Sequence, residues 1–166
     1  HPIYLAHLKN FFDLSDSSSL ELGLTGASGF NDPKGDHRTT LEGLDLTYRW
    51  RPLGQGLYRS FLFQTEALFS QRDTESSNIN SLGFYSFANY QLSRRWYLGG
   101  RLEYSEFPTS DKDNEWGYSG ILTFFPSEFF RVRLQYNHIN RNYERDEDQI
   151  LFQATFTLGP HRPEPF

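Results

Sequence analysis

Residues 41–52, LEGLDLTYRWRP, alternate almost without error. In an extended chain, successive side chains point to opposite faces. Leu44, Leu46, Tyr48 and Trp50 would therefore share one face, and Asp45, Thr47, Arg49 and Arg51 the other. A ribbon with one oily and one charged face must choose which of them meets its solvent. If the charged face is wetted by bulk water, the chain is a soluble barrel. If the oily face is outermost, the solvent is lipid.

The same two-residue period recurs from about residue 19 to residue 159. It predicts eight strands, near 19–30, 37–52, 57–72, 79–94, 96–107, 115–125, 129–140 and 148–159. RPLGQG, LSRR and PSEF read as tight connections, while NDPKGDHR, RDTESSN, PTSDKDNE and NRNYERDED are longer, polar and mostly acidic. Short turns at one end and long loops at the other are the asymmetry of outer-membrane barrels.

Even-numbered positions are oily in most strands, as in Leu82, Phe84, Tyr90 and Leu92, or Trp116, Tyr118, Leu122 and Phe124. The third strand shifts parity and carries Phe61, Phe63 and Phe69 instead. The opposite face holds a charge cluster of Asp45, Arg49, Arg51, Glu66, Arg101, Glu103, Arg131 and Arg133, with glycines between. The oily face offers more large side chains than the interior of an eight-stranded barrel holds, whereas glycine, small polar residues and paired charges fit a narrow lumen. The oily face is therefore expected outermost. Trp50, Tyr58, Tyr90 and Trp96 near the short turns, and Trp116, Tyr118 and Tyr136 near the long loops, would form two aromatic girdles. A soluble lipocalin-like ligand-binding barrel is the alternative.

Composition narrows the partners. Net charge is −5 over 166 residues, which disfavours a nucleic-acid partner. No cysteine is present, so disulfides and thiolate metal sites are excluded. Only three of sixteen basic residues are Lys, and Arg suits ion pairing in confined space. Aromatics make up 17% of the chain although its mean hydropathy is −0.66. Without methionine, the chain reads as a mature product or a fragment.

Several segments carry a resemblance: YLAHLKNFFDLSDSSSLELGLTGASG, LDLTYRWRPLGQGLYRSFLFQTEALF, YQLSRRWYLGGRLEYSE, PSEFFRVRLQYNH and the end LFQATFTLGPHRPEPF. Together they resemble the C-terminal part of a bacterial outer-membrane porin-like family, often labelled zinc-regulated TonB-dependent outer-membrane proteins. The resemblance implies a transmembrane β-barrel in a Gram-negative outer membrane, with members longer than this chain. No TonB box or plug domain occurs here, so energised import is not implied.

Residues 1–18 are an N-terminal segment, either a short amphipathic helix or an extra strand that would raise the count to nine or ten. Residues 19–159 form the antiparallel up-and-down barrel, and 160–166 a Pro-rich tail. Both termini are expected on the periplasmic side.

No nucleophile motif, phosphate loop or metal-ligand spacing occurs, so neither catalysis nor a cofactor is expected. Ser105 and His138 lie near the outer end on opposite parities, which disfavours an acyl-transfer pair. A zinc site from His1, His7 and His161 competes with the simpler reading of solvated tail histidines. The acidic loops would solvate the outer end, and divalent cations bridging to lipopolysaccharide are a further expected partner. Lipid and the barrel-assembly machinery complete the set. The charge cluster reads either as an ion-pair plug or as a selectivity lining, and porin-like passage of small solutes or a structural role follows.

Overall fold

The computed structural model describes residues 1–75, 77–110 and 112–158. Nine strands follow one another: β1 (Ile3–Ser15), β2 (Ser18–Phe30), β3 (Arg38–Trp50), β4 (Phe61–Asp73), β5 (Asn78–Ser93), β6 (Trp96–Glu106), β7 (Asn114–Ser127), β8 (Phe130–Arg141) and β9 (Glu147–Phe156). Each pairs antiparallel with the next in one sheet ordered β1 to β9, and β1 does not meet β9. Among the described residues there is no helix, and hence no helix long and apolar enough to cross a membrane.

The expected count of eight is corrected to nine. Of the two alternatives for the N-terminal segment, the strand holds, as β1 (Ile3–Ser15), because Tyr4, Ala6, Leu8 and Phe12 continue the period of two and register against Ser28, Gly26, Leu24 and Leu20. An odd count moves one terminus. Ile3 lies beside Gly29 at the long-loop end, whereas Phe156 lies beside Phe130 at the short-turn end. The two termini of the sheet therefore lie at opposite ends, against the expectation that they share one.

RPLGQG is also corrected. It belongs to a ten-residue connection, 51–60, and β4 begins at Phe61 rather than near 57. Successive backbone turns (Gln55 N to Pro52 O, 3.1 Å; Tyr58 N to Gln55 O, 2.9 Å) fold this segment on itself. The other connections at this end are two-residue turns at 16–17, 94–95 and 128–129. Those at the opposite end, 31–37, 74–77, 107–113 and 142–146, are longer.

The register fixes the faces. One ladder runs Leu8, Leu24, Leu44, Ala67, Phe84, Tyr104 and Trp116 across β1 to β7. The next row on the other face runs Gly23, Asp45, Glu66, Tyr85, Glu103 and Gly117. The parity shift enters at β4, as the sequence indicates, and is reversed at β5.

Burial is inverted relative to an aqueous globular core. The buried side chains are Gln91, Ser81, Thr47, Thr123 and one hydrophobe, Ile121, all on the polar face. Leu98, Leu122, Leu134 and Phe152, on the oily face, are 52, 38, 48 and 70% exposed. A single cavity bounded by Gln64 of β4 and Gln135 of β8 indicates that the sheet curls toward its polar side. Some polar groups lie on the oily face and are satisfied locally: Thr65 Oγ1 donates to Tyr85 O at 2.7 Å and lies 2.9 Å from Ser86 Oγ.

Gln91 is the most deeply buried side chain among the described residues, at 2% exposure. Its Nε2 donates to Leu57 O (3.0 Å) and its Oε1 accepts from Ser60 Oγ (3.0 Å), while its backbone N–H donates to Ser60 O (2.9 Å). One amide thus pins the 51–60 connection onto β5. Truncation would leave two partners unsatisfied, at a cost of about 1–3 kcal/mol. Gln91→Ala should lower the denaturant midpoint accordingly and speed tryptic cleavage after Arg59, whereas unchanged cleavage would show that the connection holds itself.

Candidate functional site

The polar face gathers the charged residues, but not into one interlocked network. Asp45 on β3 lies directly across from Glu66 on β4, and neither forms an ion pair among the described residues. Two carboxylates face to face repel. Arg101 and Glu103, two residues apart on β6 and so on one face, are ion-paired. The Arg101 guanidinium also lies 4.9 Å from the centre of the Tyr85 ring. Arg49 pairs with Glu21 on β2, which also holds Lys9 of β1 at 2.6 Å. Glu21 and Lys9 complete a bridge over three strands that the sequence reading missed, since Lys9 acquires a strand position only once β1 is a strand.

Arg51 does not join this group. It lies beyond the end of β3, where its Nε donates to Gly56 O at 3.1 Å and braces the 51–60 connection. Arg131 and Arg133 on β8 have no carboxylate partner among the described residues. Arg131 donates to Thr155 Oγ1 at 3.4 Å, and the Nε atoms of both arginines are buried without a hydrogen bond.

Register sorts these charges along the strands. Asp45, Glu66 and Glu103 share one register row that crosses β3 and β4 near mid-strand, and Glu115 lies beyond it toward the long loops, an acidic region, while Arg49, Arg131 and Arg133 lie toward the short turns. Arg101 sits at the boundary. A cavity of about 390 Å³ in the acidic half is lined by Glu66, Glu103, Glu115, Ser105, Arg101 and Tyr85, among others.

Glycine makes the acidic half possible. A Cβ on Gly23 would overlap the Asp45 carboxylate, and one on Gly117 would come within 3.0 Å of Glu103 Oε2. Each absent side chain is the space its neighbour's carboxylate occupies.

The aromatic residues cluster at both ends of the oily face. Trp96 stacks on Phe124 (4.4 Å) and Phe130 on Phe156 (4.2 Å) near the short turns, where Trp50 and Tyr90 both flank Phe61. Tyr58 departs from this pattern, since it lies in the 51–60 connection and not on a strand. Toward the long loops, Trp116 packs with Tyr104 (4.7 Å), Phe84 (5.9 Å) and Tyr118 (6.4 Å). Tyr136 donates to Asp148 at 2.6 Å, and His138 Nδ1 lies 2.9 Å from the same oxygen.

At the long-loop end the acidic residues serve the loops themselves. Arg141 binds Glu115 (3.1 Å), Glu147 (2.8 Å) and Glu144 (4.0 Å), a hub the sequence reading did not single out. Tyr143 donates to Glu115, and this raises its phenol to about 12. Asn142 ties the neighbouring loop through Lys112 O (2.6 Å) and Asn114 N (3.0 Å). Asp32 accepts from the backbone of Lys34, Gly35 and His37 (3.0, 3.1 and 2.9 Å), and these bonds hold its carboxyl below the ordinary value. Gly35, at φ +80°, supplies the left-handed residue this turn requires.

Among the described residues no three His, Asp or Glu side chains converge as metal ligands. His1 packs at 4.9 Å from Phe30, His7 bonds Thr25 Oγ1 at 2.8 Å on the polar face, and His161 lies outside the described residues, as does the tail at 160–166. Ser105 is on the polar face and His138 on the oily one, so the structure does not bring them together.

No family model matches the chain, and no solved structure does. The chain is similar to an uncharacterized protein of Aquifex aeolicus (strain VF5), with 27% identity over 193 residues. That match covers 99% of this chain and 40% of the relative, so the chain spans well under half the relative's length.

Two outcomes follow. Gly23→Ala must swing the Asp45 carboxylate aside and should cost about 1–2 kcal/mol in equilibrium unfolding. Gly120→Ala, on the open oily face with nothing within 4 Å of the new methyl, should cost nothing measurable. Tyr143 must be neutral to donate, and its folded pKa lies above the ordinary 10.0, so its contact is intact below 10 and lost as the pH rises toward about 12. Tyrosinate absorbance should show that late step, and Tyr143→Phe should remove it.

Proposed function

We propose that this chain is part of the wall of a bacterial outer-membrane β-barrel whose polar face lines a path for small solutes, with no catalytic role. The observation that carries the reading is the inverted burial: polar side chains and a single isoleucine are buried, while leucines and aromatics cover the opposite face. Water penalises an extended exposed apolar surface, and lipid does not. Aromatic clusters at both ends of that surface, and two-residue turns for three of the four connections at one end, support the same assignment. Lipid, lipopolysaccharide at the long-loop end and the barrel-assembly machinery are the partners this reading brings.

Strand count bears on closure. In a nine-stranded meander, β1 and β9 run parallel, so joining them directly needs a parallel seam. An odd number of further strands gives an even, fully antiparallel barrel, the usual bacterial arrangement. A relative of which this chain matches 40% has the length to supply such strands. A barrel larger than eight strands has room for an aqueous lumen, which favours a solute path over a plug.

The test is reconstitution of the protein that carries this wall, with every strand needed to close it, into planar bilayers, with insertion verified by protease protection in vesicles. Ohmic current steps from protected protein are expected. Protected but silent protein would overturn passage, and a folded, monodisperse chain in detergent-free buffer would overturn the membrane assignment in favour of a soluble barrel.

A further inference from the structure

The polar face holds a second cavity, of about 380 Å³, whose character differs from the first. Its polar lining is Arg101, Arg133, Gln64 and Gln135, with Tyr85 and Phe87 as aromatic walls, and no carboxylate borders it. Arg133 faces only neutral side chains across its strand, Thr123 on β7 and Gln153 on β9. Its neighbour on the same face, Arg131, adds a second positive charge and lies beside Thr155. The Nε atoms of both arginines are buried and make no hydrogen bond. A buried donor on a cation is costly to leave unpaired, and each one in a native structure calls for a partner. Arg101 is different, since Glu103 already occupies it from the acidic half.

We propose that this cavity is a binding site for a compact oxyanion, a carboxylate or phosphate, held by the Arg133 fork with the Gln64 and Gln135 amides as neutral donors. Guanidinium suits planar two-point recognition of such groups. Amide donors add hydrogen bonds without a competing charge, and the cavity is of the size that encloses a small organic molecule. The carboxylates of Asp45, Glu66 and Glu103 in the neighbouring register row would disfavour an anion beside them, so the Arg133 side of the face is where an anion resides. This inference rests on the solute-path reading for its role, as a station along that path, but not for binding itself.

The test is titration of the folded, detergent-solubilised chain with inorganic phosphate and, separately, with succinate, followed by calorimetry at low ionic strength. Saturable binding of at least one probe is expected. Arg133→Gln should weaken it about tenfold, the worth of one charge-assisted hydrogen bond. Arg133→Lys, which keeps the charge and loses the fork, should also weaken it and guards against a variant that does not fold. Arg94→Gln, an equal change of charge on the exposed β5–β6 turn, should leave binding unchanged. Binding of phosphate alone, succinate alone or both identifies the oxyanion class that the site takes. No saturable binding, or equal weakening by Arg94→Gln and Arg133→Gln, would overturn the site. Specific binding by a protein that is silent in bilayers would overturn passage and leave the site standing, whereas conduction without Arg133-dependent binding would do the reverse.

Discussion

The backbone ladder between neighbouring strands is the constraint on which everything else depends. Eight consecutive antiparallel pairings tie β1 to β9, and each holds side chains of one parity on one face. A slip of one residue anywhere would send leucines into the charged side and arginines into the oily one. The register therefore has to be defended where parity changes. That change occurs once on entering β4 and once on leaving it. At the entrance stands the 51–60 connection, and Gln91 on the following strand holds it by two side-chain hydrogen bonds. The most buried side chain among the described residues thus sits where a register error would begin.

Much of this was legible in the sequence, for a physical reason. Strand periodicity is a local property, and LEGLDLTYRW states it without reference to any partner. The faces, the parity shift and the aromatic ends followed from it. What the sequence concealed depends on pairing. Residues 1–14 alternate as well as many later strands, yet His7, Lys9 and Asn10 weaken the contrast between the faces, so a helix remained an alternative until the partner strand decided. The Pro and Gly residues of RPLGQG mark a turn correctly but do not say how many residues it spans. Of the two, one concerns length and the other count, and the count alone, nine strands in place of eight, moves one terminus to the other end of the sheet.

The charge cluster was legible as membership of a face and illegible as a network. Parity places Asp45, Arg49, Glu66, Arg101, Glu103, Arg131 and Arg133 on one side, but who touches whom depends on register across strands. Register gathers Asp45, Glu66 and Glu103 into one row near mid-strand and leaves two arginines without a carboxylate partner nearer the short turns. Only Arg101 with Glu103, and Arg49 with Glu21, which also holds Lys9, form ion pairs among these. Residues 115, 141, 143, 144 and 147 show the converse: a string of loop acids resolves into a hub around one arginine, a role visible only once β7, β8 and β9 are adjacent.

The strand count and the unpaired arginines point the same way. On the barrel reading, a closed and dry lumen would bury Arg131 and Arg133 beside each other without a counter-charge, a cost that ion pairing exists to offset. Water or an exchangeable anion at that wall removes the penalty, and both require a lumen wider than one filled by its own side chains. An odd-stranded open sheet asks for further strands on independent, purely topological grounds. Additional strands would widen the barrel, and a wider barrel would leave two guanidinium groups without a counter-charge tolerable. On that reading, the electrostatics of β8 and the direction of β1 relative to β9 both call for the same architecture, a barrel larger and wetter than one closed by these nine strands.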